Sequence, residues 1–128
     1  MSGGLDDAAA AGARLNLLTL RAADLRATAA FYEALGFMFV EEQHGVGPAH
    51  LASVSGGPHS WTLELYPATC AVDTQALRLG FEVANLDAML ERLIAAGGQV
   101  VTKPRTGPQG RRAVVGDPDG RRVELVER

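Results

Sequence analysis

The stretch 15–40, LNLLTLRAADLRATAAFYEALGFMFV, is written a second time sixty-one positions further along the chain. In that register Ala23, Asp24 and Leu25 fall on Ala84, Asn85 and Leu86, and Ala27 falls on Ala88. Ala34 falls on Ala95, Gly36 on Gly97 and Val40 on Val101, with no insertion in between. Each copy reads as an apolar strand, a short polar cap, an amphipathic helix, a glycine stop and a second strand. Self-similarity at a fixed period restricts a chain to architectures that repeat one supersecondary unit. The expected fold is therefore α+β, with two tandem β-α-β-β-β modules related by pseudo-twofold symmetry. Their curved mixed sheets should surround a concave cleft with the helices on the outer face, and a ligand should lie between the modules.

In the first copy, residues 15–21 alternate as a strand does. Asn16, Leu18 and Leu20 share one face, and Leu17, Thr19 and Arg21 share the other. Asp24 is placed to cap a helix, its carboxylate accepting orphan backbone N–H groups. Leu25, Ala29, Tyr32 and Leu35 recur near helical spacing with Phe31 beside them, and Gly36 supplies the left-handed stop. Further strands are expected at 37–42, 50–54 and 60–66, separated by the loop 43–48 and the turn 55–58. Pro67 and the polar residues up to Gln75 bridge the halves.

The second copy follows the same plan. A strand at 77–83 precedes Asn85 as cap, and Leu86, Met89, Leu90 and Leu93 keep the i, i+3, i+4, i+7 spacing of one helix face. Gly97 and Gly98 end that helix. A strand at 99–103 and a loop at 104–110 come next, and a hairpin then joins 112–115 to 122–126. Its turn, Asp117-Pro118-Asp119-Gly120, has Pro at i+1 and Gly at i+3 of a type I turn. The expected organisation is a flexible tail at 1–13 and one domain at 14–128, with modules at 15–67 and 76–127.

Composition excludes several classes of function. A net charge of −3 spread over 128 residues gives no basic field for nucleic acid. No run approaches the ~20 apolar residues of a membrane span, and the N-terminus carries two Asp before any Lys or Arg, unlike a secretory signal. The single Cys70 cannot form an internal disulfide, so a cytoplasmic location is expected. It has no His or basic neighbour in sequence to activate it as a nucleophile. The glycines at 107 and 110 do not link a strand to a helix, which rules out a phosphate loop.

The phrases LTLRAADLRATAAFYEALGF, TLELYP, LGFEVANLDAMLERLIAAGGQVV and VGDPDGRRVEL together resemble the vicinal oxygen chelate superfamily. That superfamily includes glyoxalase I, extradiol dioxygenases and fosfomycin- and bleomycin-resistance proteins. The resemblance spans 15–127. It implies that, in metal-using members, four inward-facing side chains on the first and fourth strands of each module bind one divalent ion. Those places correspond here to Leu17, Glu64, Arg78 and Glu124. The repeat agrees, since Leu17 and Arg78 are sixty-one positions apart and Glu64 and Glu124 sixty.

Two of the four places have lost their donors. Leucine has no lone pair, and a guanidinium carries only donors and stays protonated. Two carboxylates beside a fixed cation hold a divalent ion poorly. The expectation is a cleft with no metal, in which Arg78 fills the charge hole by forking toward both Glu64 and Glu124 in a buried cluster. If a metal is retained, Glu64 and Glu124 are its ligands. No cofactor is otherwise expected.

Alternation places His50 on the cleft face with Leu51 turned to the helix, so His50 is a candidate general base or substitute ligand, against the plainer role of an edge residue. Tyr66 shares the parity of Glu64, whereas Trp61 belongs under a helix. His44 and His59 are expected in solvent. The expected ligand pocket is Leu17, Thr19, His50, Glu64, Tyr66, Arg78 and Glu124. Two functions fit: a binding protein for a small organic molecule, as in bleomycin-resistance relatives, or a lyase, isomerase or dioxygenase with an altered metal set. A homodimer is expected, because lone modules expose sheet edges that pairing covers.

Overall fold

The computed structural model describes residues 12–54, 61–69 and 72–128. Positions 1–11 of the expected tail, the turn 55–58, His59 and Cys70 lie outside the described residues. The elements run β1 (Leu17–Ala22), α1 (Leu25–Leu35), β2 (Phe39–Glu42), β3 (His50–Ser53) and β4 (Thr62–Pro67) in the first module. The second repeats them as β5 (Arg78–Val83), α2 (Leu86–Ala95), β6 (Gln99–Gly107), β7 (Gly110–Gly116) and β8 (Arg122–Glu127). The sheets have orders β1-β4-β3-β2 and β5-β8-β7-β6, which are the same order under the repeat. In each, the first and last strands of the module pair in parallel and the other pairs are antiparallel. The two tandem modules expected from the repeat are thus present, as mixed α+β sheets that form no closed barrel among the described residues.

Local chemistry sets the helix bounds. Asp24 accepts from the Ala27 N–H at 3.0 Å, and Asn85 accepts from Ala88 at the equivalent place. Gly36 ends α1 at φ 117°, a left-handed conformation that glycine adopts without strain. Alternation then directs Leu20, Leu63, Leu65 and Leu51 beneath α1, and Leu79, Val123 and Leu125 beneath α2, all buried in one continuous core. Trp61 packs against that core beside Phe37, their ring centroids 5.5 Å apart. Gly98 permits the modules to close on each other. A Cβ there would stand 2.8 Å from the Phe31 ring and 2.9 Å from the Leu93 carbonyl.

A buried polar lock joins the halves. Arg121 is fully buried, and its guanidinium donates to Asp117 at 2.8 Å and Asp119 at 3.3 Å. It also donates to the Thr74 carbonyl and hydroxyl, each at 3.0 Å, and to the Arg21 carbonyl. The Tyr32 hydroxyl of α1 donates to Asp117 of the second module at 2.7 Å. Burial, reinforced by the Asp117 charge and that hydrogen bond, pushes the Tyr32 phenol well above its ordinary pKa.

One expectation is corrected. The loop at 104–110 does not exist as such: β6 runs through Pro104 to Gly107 and pairs with β7 up to Gly110. Pro104 is tolerated because β6 is an edge strand whose register shifts between Thr102 and Arg105. Gly110, at φ 108°, lets the chain reverse within two residues.

Candidate functional site

Strand register decides which side chains share the face opposite each helix. In the first sheet Leu17 stands beside Thr62, Thr19 beside Glu64 and Arg21 beside Tyr66, while Ala52 stands beside Glu64. Directly opposed residues share a face. Leu17, Thr19, Arg21, His50, Glu64 and Tyr66 therefore lie together, away from the leucines under α1. The Thr19 hydroxyl donates to Glu64 Oε1 at 2.9 Å. Tyr66 is sandwiched: the His50 ring stacks on it at 4.0 Å and 10°, and the Arg21 guanidinium carbon lies 5.0 Å from its centroid.

In the second sheet Gly80 stands beside Glu124 and Val114 beside Glu124, so Arg78, Arg112 and Glu124 share the corresponding face. Both arginines donate to Glu124 Oε2, Arg78 at 3.5 Å and Arg112 in close contact. Arg78 also lines a recess of about 220 Å³ where the modules meet, together with Leu15, Leu18, Trp61, Leu79 and Phe81.

The seven candidate residues thus form two half-sets. Leu17, Thr19, His50, Glu64 and Tyr66 occupy one sheet; Arg78 and Glu124 occupy the other. Arg78 does not fork to both carboxylates: among the described residues no hydrogen bond or ion pair joins Glu64 to Arg78 or Glu124. The reason is topological, because the residues belong to sheets that share no strand pairing, and Glu64 is already engaged by Thr19. Nor is the ion cluster deeply buried. The Arg78 side chain is 57% exposed and Glu124 28%, and Leu17 is 48% exposed, as an open pocket wall would be.

The chemistry of these donors does not fit a metal ion at the four places. Leu17 offers none, Arg78 repels a cation, and Glu124 already carries two guanidinium partners. Arg112 was not anticipated. Its signal was available in the alternation of the terminal hairpin, where it stands two residues before Val114 on the face of Glu124.

His50 is 1% exposed, so it is no ordinary edge residue. Glu42, its direct partner across β2 and β3, and His44 lie beside it.

The sequence model of the Glyoxalase/Bleomycin resistance protein/Dioxygenase superfamily matches residues 14–125. An antibiotic binding protein from Streptomyces sp. CB03234 is similar in structure, with TM-score 0.70 and 28% identity over 91% of this chain and 97% of that one. A glyoxalase/bleomycin resistance protein from the same organism gives TM-score 0.65 and 29% identity over 88% and 99%. A glyoxalase-related enzyme from Fulvimarina pelagi gives TM-score 0.69 and 26% identity over 90% and 88%. No curated protein matches the sequence.

Proposed function

The chain belongs to the Glyoxalase/Bleomycin resistance protein/Dioxygenase superfamily, and from that premise we propose that it binds a small organic molecule in its cleft without a metal ion at Leu17, Glu64, Arg78 and Glu124. The observation that carries this reading is the double arginine clamp on Glu124, together with the donorless Leu17 at the first-module place that matches Arg78. A carboxylate held by two guanidinium groups has little remaining capacity for a cation. The same arginines on one sheet, and Thr19, Glu64 and Tyr66 beside exposed Leu17 on the other, offer polar handles next to apolar surface. That mixture of a few oriented polar groups with apolar wall suits organic ligands. Similarity to an antibiotic binding protein supports the same class of ligand.

The same reading takes the chain as a homodimer in which a second copy completes the cleft, bringing its own half-set opposite the first. A cytoplasmic location belongs to the same reading; among the described residues no helix is long and apolar enough to cross a membrane.

The test is native mass spectrometry of protein purified from its own host, followed by calorimetry with any organic compound released. A bound organic mass whose affinity falls on Arg78→Ala supports binding. Stoichiometric metal that is lost on Glu64→Gln, together with turnover, would replace this reading with a metal-dependent lyase or dioxygenase.

A further inference from the structure

We propose that Glu42, His44 and His50 form a binding site for one divalent transition-metal ion of the zinc class, separate from the four places of the cleft. Glu42 ends β2 and His44 follows two residues later, its imidazole turned back to the Glu42 carboxylate. His50 is the strand partner of Glu42. The turn that follows β2 holds this arrangement, with the Gly47 N–H donating to the His44 carbonyl at 3.0 Å and Gln43 Nε2 to the Gly47 carbonyl at 2.9 Å.

The distances suit a tetrahedral ion. Glu42 Oε1 lies 3.4 Å from His44 Nε2 and 3.4 Å from His50 Nε2. Zinc bonded to N and O at about 2.0–2.1 Å separates neighbouring ligand atoms by about 3.4 Å. All three ligand atoms fall within 4.8 Å of one another. The His44 side chain is 72% exposed, which leaves it room to adjust toward the other two.

A second observation points to a cation. His50 Nε2 is buried with no hydrogen-bond partner, although Glu42 Oε1 stands near it. His50 Nδ1 lies 3.2 Å from the Pro48 carbonyl, which can only accept, so Nδ1 carries the hydrogen and Nε2 presents its lone pair to the carboxylate. A buried lone pair facing a carboxylate calls for a positive charge between them, a proton or a metal ion, and the second imidazole on the same carboxylate oxygen, His44, favours the metal ion. The Nδ1–H to carbonyl bond is also the arrangement that orients metal-bound histidines. Two imidazoles and one carboxylate leave a coordination position for water or a ligand atom. Tyr66, stacked on His50, places the site beside the cleft face.

The experiment is titration of chelator-treated, full-length protein with cobalt(II) and zinc, read by visible absorption and calorimetry. One equivalent should bind, cobalt should show the intense visible bands of a four-coordinate site, and His44→Ala should weaken binding more than about tenfold. His44 is exposed, so this variant reports the site without disturbing the core; Glu42→Gln is the second. Glu64→Gln and Glu124→Gln should leave the affinity unchanged. Failure to bind metal would leave a plain Glu42–His50 pair and overturn the site, as would uptake indifferent to His44→Ala and Glu42→Gln. An organic ligand in the cleft is a separate outcome that these readings do not touch.

Discussion

Replacing Arg121 with methionine should destabilise the protein more than a typical single substitution. The guanidinium is fully buried between Asp117, whose side chain is also fully buried, and Asp119, which is 6% exposed. Methionine keeps much of the volume, so little of the loss is packing. What remains is two carboxylates without their cation, and Thr74 and Arg21 without a donor. Asp117 keeps the Tyr32 hydroxyl and the N–H groups of Asp119 and Arg121, which limits the damage. Removing one partner of a buried ion pair costs about 3–5 kcal/mol. For a chain of this size that corresponds to a fall of roughly 10–20 °C in melting temperature. Urea unfolding followed by circular dichroism gives the free energy, and Asp117→Asn in the variant background should recover part of it. A loss below about 1 kcal/mol would refute the idea that Arg121 locks the modules.

Three further outcomes are expected. Tyr32→Phe should cost about 1.5–3 kcal/mol at neutral pH through its lost bond to Asp117. Because the folded phenol's pKa lies above the unfolded value of 10.0, that stability is present below pH 10 and declines at about 1.4 kcal/mol per pH unit above it. The gap between wild type and Tyr32→Phe should therefore narrow in alkaline melts; a constant gap would contradict a buried neutral phenol. Leu90→Ala should cost about 2–5 kcal/mol in the core while exposed Leu17→His stays near neutral, and the reverse order in denaturant titrations would show the strand parity to be wrong. Light scattering at micromolar concentration should give a dimer mass, and a monomer would defeat the completion of the cleft by a second copy.

Much of the fold was legible because the repeat fixes it twice. The caps Asp24 and Asn85, the stop at Gly36 and the parity that unites Thr19 with Glu64 follow from local chemistry and alternation. The role of Arg121 was not legible. Alternation with Val123 and Leu125 turns it inward, but its partners Thr74 and Arg21 are distant in sequence. Pro104 read as a loop because proline is a poor strand residue, and only the edge position of β6 reverses that. The separation of Glu64 from Arg78 depends on how the two sheets are set in space, which a one-dimensional repeat does not encode. His44 read as a loop histidine in solvent; its approach to Glu42 and His50 required the register of β2 against β3.

The most direct test is calorimetric titration with zinc and nickel of a Glu42→Gln/His44→Ala variant, which removes the proposed β2–β3 site and leaves the four cleft places as they stand. The expected result is no binding, with one equivalent appearing only when Leu17→His and Arg78→His are added to restore donors. About one equivalent bound without those restorations, and lost on Glu64→Gln or Glu124→Gln, would contradict a cleft that has given up its metal.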